Sequence, residues 1–263
     1  MKLRHALTIF AAFISALVWP TAYGDASPAD PHKWNFVITP YFWLVGQNGE
    51  VTIKGDTTDL DTDLIDNMKA FDIGGQFYAE ARNGKWGFFT DMTYSKSSTD
   101  SGNVDVTVEY VQADFGALYR FVDRPLETHG MATDEGRSLT VDAIVGGRYL
   151  SLHNETEISI QPGFTLEIDE REDWVTPIVG ALVMADLSDR LLLILRGDIG
   201  GLGTGSNRMW NAAAFLGYEV WPNRTFLMGY RILDVDFAEG EGPNRFEYDV
   251  VSHGPLFGFA FQF

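Results

Sequence analysis

Phe71-Asp72-Ile73-Gly74-Gly75-Gln76-Phe77-Tyr78-Ala79-Glu80-Ala81-Arg82 is followed by Asn83-Gly84 and then by Trp86-Gly87-Phe88-Phe89-Thr90-Asp91-Met92-Thr93-Tyr94-Ser95. In a strand, side chains alternate between two faces. The first run therefore places Phe71, Ile73, Phe77, Ala79 and Ala81 on one face and Asp72, Gln76, Tyr78, Glu80 and Arg82 on the other. The second run sets Trp86, Phe88, Met92 and Tyr94 opposite Asp91, Thr93 and Ser95. Asn-Gly between two alternating runs is the strongest short hairpin signal. The reading is two long antiparallel strands with one apolar and one polar face.

Alternation of this kind recurs over about 34–45, 104–121, 139–155, 172–186, 191–203, 207–220, 225–238 and 246–263. With the opening hairpin that makes about ten strands, most of them as long as the roughly 9–11 residues that cross a bilayer at a tilt. Soluble sandwiches use strands nearer 5–6 residues. Segments 157–160 and 164–168 flank Gln161-Pro162-Gly163 and read as extensions of strands five and six beyond the membrane. If they span separately the count is twelve, and eight strands is the lower alternative. Strand 104–121 requires one local flip near Tyr110-Val111 to keep a single apolar face, which a β-bulge supplies.

Loop lengths orient the sheet. On one side Asn83-Gly84-Lys85, 187–190 and 221–224 are tight, with the longer 122–138 loop as the exception; on the other 46–70 and the 152–172 hairpin are long, beside short connections near 98–103 and 204–207. Outer-membrane barrels have short periplasmic turns and longer outside loops. In the first long loop, Val51-Thr52-Ile53 reads as a short return strand. Asp59 to Met68 then reads as a short helix with Leu60, Leu64 and Met68 on one face.

The chain begins with Lys2 and Arg4, an apolar stretch Ala6–Trp19, Pro20 and Ala22-Tyr23-Gly24, the layout of a secretory signal peptide over 1–24. A periplasmic leader, 25–33, would precede a barrel domain over 34–263. The full chain carries 19 Lys+Arg against 37 Asp+Glu, net −18. Losing 1–24 removes two cations and no acids, leaving 17 against 37, or −20. Such acidity excludes a basic nucleic-acid binder. The absence of cysteine excludes disulfides, thiol catalysis and thiolate metal sites. A hydrophobic content of 45% with 14% aromatics excludes a disordered acidic chain.

The last strand, Gly254-Pro255-Leu256-Phe257-Gly258-Phe259-Ala260-Phe261-Gln262-Phe263, ends on an aromatic with aromatics at every second position before it. This resembles the assembly signal of Gram-negative outer-membrane β-barrels, carried here by Phe259, Phe261 and Phe263. Trp34-Asn35-Phe36 with Thr39-Pro40-Tyr41-Phe42-Trp43, Arg196–Gly201 and Gly217-Tyr218 with Gly229-Tyr230-Arg231 look like strands of a poorly characterised, porin-like small-barrel family. The resemblance implies an all-β, transmembrane, antiparallel up-and-down barrel in the bacterial outer membrane. The implied partners are outer-membrane lipids and lipopolysaccharide, with the barrel-assembly machinery and periplasmic chaperones during biogenesis. It brings no active-site motif.

A charge on lipid costs about 2–4 kcal/mol at the midplane, so ionisable groups on the spanning strands belong in the lumen. The expected lumen ladder is Glu80, Arg82, Asp91, Asp114, Arg120, Asp142, Arg148, Arg196, Asp198, Glu219 and Arg231. Such a ladder either fills a structural core or lines a narrow pore for small solutes. No enzymatic activity, cofactor or metal is expected. Asp59, Asp61, Asp63 and Asp66 are weak Ca²⁺ candidates, lacking the glycine and glutamate spacing of an EF-hand.

The alternative reading is a barrel enzyme. Outer-membrane phospholipases and lipid A deacylases use a Ser–His pair, but Ser252 and His253 are adjacent and must face opposite ways. Omptin-type proteases pair Asp with His at the barrel rim, for which Asp234, Asp236 and His153 are the loose candidates.

Overall fold

The computed structural model describes residues 33–100, 102–126, 137–161, 164–201 and 207–263. The expected signal peptide, 1–24, and most of the expected leader lie outside them. Twelve strands form one antiparallel sheet: β1 (Asn35–Trp43), β2 (Gly46–Ile53), β3 (Asp56–Thr62), β4 (Phe71–Asn83), β5 (Trp86–Asp100), β6 (Val104–Pro125), β7 (Ser138–Gln161), β8 (Phe164–Asp186), β9 (Leu191–Gly200), β10 (Arg208–Trp221), β11 (Arg224–Glu239) and β12 (Phe246–Gln262). Among the described residues a single α-helix, α1 (Leu64–Ala70), separates β3 from β4.

The sheet closes on itself. β1 pairs with β4 on one side and with β12 on the other. Closure removes the unpaired edge that hydrocarbon would penalise by several kcal/mol per backbone group. Counted as staves, the ring has ten. β2 continues β1 along β12 in unbroken register, from Trp43↔Leu256 to Gly46↔His253. β3 pairs with β2 and stands above β4, the two separated by α1. The expectation of ten holds, and 157–168 does extend the fifth and sixth staves rather than span separately.

Three local expectations are corrected. Residues 51–53 continue the outgoing strand, and the return begins at Asp56 after a Lys54-Gly55 turn in which both residues take positive φ. The helix starts at Leu64, so Leu60 lies on a strand. No register shift occurs near Tyr110; the irregularity in β6 lies between Arg120 and Val122. The inferred flip came from a different cause. In β6 the outward face changes from apolar (Phe115, Ala117) to polar (Glu109, Thr107), while the inward face changes from charged to apolar (Val106, Val108, Tyr110).

The outward face is a continuous apolar band. Trp86, Tyr119, Tyr218 and Trp221 ring the end with the tight turns, and Tyr94, Trp210 and Tyr230 ring the other, all exposed. Between them Phe88, Phe115, Val145, Val179, Leu195 and Met228 also point outward and exposed. Exposed apolar area of this extent fits lipid and not water. Beyond the outer ring the outward residues become Lys96, Glu109, His153 and Asp173. The chain is built as a transmembrane β-barrel.

Candidate functional site

The inward face of the barrel carries three distinct layers. Nearest the tight turns is a small ion-pair cluster. The Arg82 guanidinium donates to Glu80 (2.8 Å) and Asp142 (2.6 Å), and Arg120 donates to Asp142 at 2.9 Å. Tyr78 donates its hydroxyl to Glu80 at 2.6 Å. Phe89, Leu118, Ile144 and Leu182 form an apolar layer above it.

The middle layer is larger. Asp114 receives Arg148 in bidentate fashion, Nε at 2.7 Å and Nη2 at 2.7 Å, and Arg196 Nη2 at 2.6 Å. Asp198 receives Arg148 at 3.0 Å, Arg196 at 3.0 Å and the Asn211 amide at 2.8 Å. Asp91 receives Arg196 at 3.1 Å, Arg231 at 3.4 Å and the Tyr41 hydroxyl at 2.6 Å. Arg231 donates to Asn211 and stacks over Trp43, and Arg196 stacks over Phe89. Three aspartates thus meet three arginines. Asp114 and Arg148 are fully buried. Strand alternation sends these side chains inward, but they come from β5, β6, β7, β9 and β11 and meet only because the barrel closes.

Ten of the eleven expected ladder residues fall into these two clusters. Glu219 does not: it faces inward near the tight-turn end of β10 and joins neither. Sequence reasoning missed Tyr41, Gln112 and Asn211, uncharged members of the middle layer. Their signal was available, since each is a polar group on the inward parity of its strand.

Above the charges the lumen is apolar. Trp174 stacks on Phe237 with ring centroids 4.5 Å apart, and Phe246 and Tyr248 complete the group. These residues fill the side of the lumen bounded by β8, β11 and β12. The opposite side, against β4–β7, holds an open chamber of about 1530 Å³ whose inner wall includes Val45, Val51, Leu60, Val108, Tyr110 and Leu152.

The other sequence candidates lie elsewhere. Asp59 and Asp61 face outward on β3, and Asp61 accepts from the Asn48 amide at 2.7 Å. Asp63 caps α1, accepting the backbone N–H groups of Ile65 and Asp66, and Asp66 lies in the first helical turn. A cap explains Asp63 without any metal. No group of three or more metal-type side chains occurs among the described residues. His153 faces outward beyond the aromatic ring, 2.7 Å from Asp169. The Lys96 ammonium donates to Glu109 at 2.8 Å and, with His153 near, holds that carboxyl below its ordinary value. Asp234 and Asp236 face outward on β11, staves away from His153. His253 meets Tyr230 and Asn48 outside the barrel, whereas Ser252 faces the lumen and accepts from Gln47. Phe259 and Phe261 pack outward against one another with Trp221 beside Phe259, and Phe263 is exposed.

No family model matches the chain, and no curated protein matches it. Among solved structures it is similar to the attachment invasion locus protein Ail of Yersinia pestis, at 10% identity over 88% of this chain and 99% of that one, TM-score 0.36. It is similar to the outer membrane protease OmpT of Escherichia coli at 9% identity over 91% and 99%, TM-score 0.45. It is also similar to Neisserial surface protein A at 13% identity over 87% and 97%, TM-score 0.32.

Proposed function

We propose that the chain is a non-enzymatic outer-membrane barrel whose lower lumen is a structural plug rather than a solute pore. The observation that carries this reading is the middle layer: Asp114 and Arg148 are buried completely, and the guanidinium groups bridge aspartates from opposite walls. A hydrated ion would have to displace charge-assisted hydrogen bonds in a low-dielectric interior, a barrier of many kcal/mol. The apolar layer of Phe89, Leu118, Ile144 and Leu182 adds a second, dry barrier. Against an enzyme stands the separation of the candidates, since Ser252 and His253 lie on opposite faces and His153 lies apart from Asp234 and Asp236.

Purified protein that migrates as a heat-modifiable barrel is expected to be silent in planar lipid bilayers. Single-channel steps of defined size that change in Arg196→Ala or Asp198→Ala would overturn the plug. Assembly is proposed to depend on the terminal aromatics Phe259, Phe261 and Phe263, read by the barrel-assembly machinery. Deleting Phe263 is expected to lower the amount of heat-modifiable protein in outer-membrane fractions severalfold, and unchanged insertion would refute that role.

A further inference from the structure

The barrel wall is not complete at its outer end. β1 and β4 pair from Asn35↔Arg82 to Pro40↔Phe77 and no further. Above that point β4 continues to pair with β5, β2 pairs with β3, and the free edge of β3 pairs with nothing in the sheet. Two backbone groups left without a ladder partner there are met by side chains. Gln76 accepts the Trp43 N–H, and the Asn67 amide from α1 donates to the Val45 carbonyl at 2.8 Å. Two backbone groups at the opening thus keep a hydrogen-bond partner, and partnered backbone is the condition for irregular structure at membrane depth.

The chamber runs through this opening. Its lining includes inward residues such as Leu60, Tyr110 and Leu152, and also the outward-facing Phe42, Ile73 and Phe77. The route from above is covered by the β2–β3 hairpin. Its tip bonds Arg245 through the Gly55 N–H and pairs Lys54 with Glu170. Two buried polar atoms on the chamber wall lack a partner among the described residues, the Trp43 indole Nε1 and the Thr62 hydroxyl. Trp43 is only 5% exposed. Among the charged residues of the lining, Asp56, Asp66, Asp72 and Glu170 face a single cation, Lys54.

Each feature selects a property of the occupant. An apolar wall takes hydrocarbon, an orphaned indole N–H takes an oxygen acceptor, and the carboxylate excess repels anions. We propose that this chamber binds an uncharged hydrophobic molecule bearing one hydrogen-bond acceptor, and that the molecule enters sideways from the outer half of the membrane between β1 and β4.

The test uses the full barrel in phosphatidylcholine vesicles with the neutral fluorophore N-phenylnaphthylamine as reporter. Saturable one-site fluorescence is expected, displaced by dodecanol about tenfold better than by dodecane, with dodecanoate at pH 8 the poorest competitor. Trp43→Phe removes the donor and should erase most of the dodecanol advantage. Leu152→Arg should abolish the saturable signal, and Val108→Arg provides the same test should the first variant fail to fold. Gly75 faces outward at the opening, and a Cβ added there meets nothing within 4 Å. Gly75→Trp should slow uptake of membrane-dissolved probe severalfold while leaving equilibrium affinity within about twofold. Non-saturable fluorescence, or saturable binding indifferent to Leu152→Arg and Val108→Arg, would overturn the site. Preference for dodecanoate, or a dodecanol advantage that persists in Trp43→Phe, would overturn the assigned ligand chemistry. Uptake by Gly75→Trp at the wild-type rate would overturn the lateral route. Silence in conductance experiments bears on the plug alone, so the two readings fail separately.

Discussion

The lower and upper halves of the lumen are built from the same strands by opposite means. Below, Asp91, Asp114 and Asp198 are matched one for one by Arg148, Arg196 and Arg231, whose ion pairs span the lumen. Above, the inward positions of β6 and β7 turn to Val106, Val108, Tyr110 and Leu152 and the space stays open. Buried ion pairs require near-ideal geometry to offset desolvation, so they demand a closed, rigid ring. Apolar walls make no such demand, and the wall can part there. The comparison places rigidity where the barrel is fully paired and adaptability where one seam is missing.

The sharpest way to break that contrast is to unbalance the lower half. Asp114→Ala leaves Arg148 and Arg196 without their shared carboxylate and is expected to cost about 3–5 kcal/mol. That loss should be visible as a large drop in the denaturant midpoint of the heat-modifiable form. An effect below about 1 kcal/mol would mean that the middle layer is solvated and not a plug. A smaller, local effect tests the seam. Asn67→Ala deprives the Val45 carbonyl of its donor and should cost about 1–3 kcal/mol. Faster amide exchange confined to β2 and β3, with β9–β11 unchanged, would be the signature. Uniform acceleration around the ring would show that the seam is mechanically continuous with the rest.

The smallest expected effect lies outside the membrane. The Asp249 carboxyl is raised above its ordinary value by partial burial and by the facing Asp236, Asp234 and Glu247. A carboxyl raised in the folded state holds its proton more tightly there than in the unfolded chain. Its contribution is therefore most favourable at low pH and is lost as pH rises through the folded value. Asp249→Asn should raise the melting temperature slightly at pH 7, by less than about 1 kcal/mol equivalent, and not at pH 3. An equal shift at both pH values would remove the electrostatic explanation.

Much of this was legible in the residues. Period-2 alternation in Phe71–Ser95 gave the strands, the tight turns gave the up-and-down order, and a charge's cost on lipid sent Arg148 and Asp198 inward. The helix boundary was not legible, because Asp59-Leu60-Asp61 satisfies a helical spacing and a strand alternation equally over so few residues. Nor was the inversion in β6, where a change of medium on the outside coincides with a change of lining on the inside and mimics a bulge. Glu219 shared the parity of the ladder but joins neither ion-pair cluster.

By itself the sequence determined the class of solvent on each face, since alternation is a local property and each residue's transfer energy is its own. Only the tertiary structure decided which charges meet, where the ring parts and what remains open above the plug. Those depend on register between strands as far apart as β5 and β11 and on closure of β1 against β12, relations that no single stretch of chain encodes.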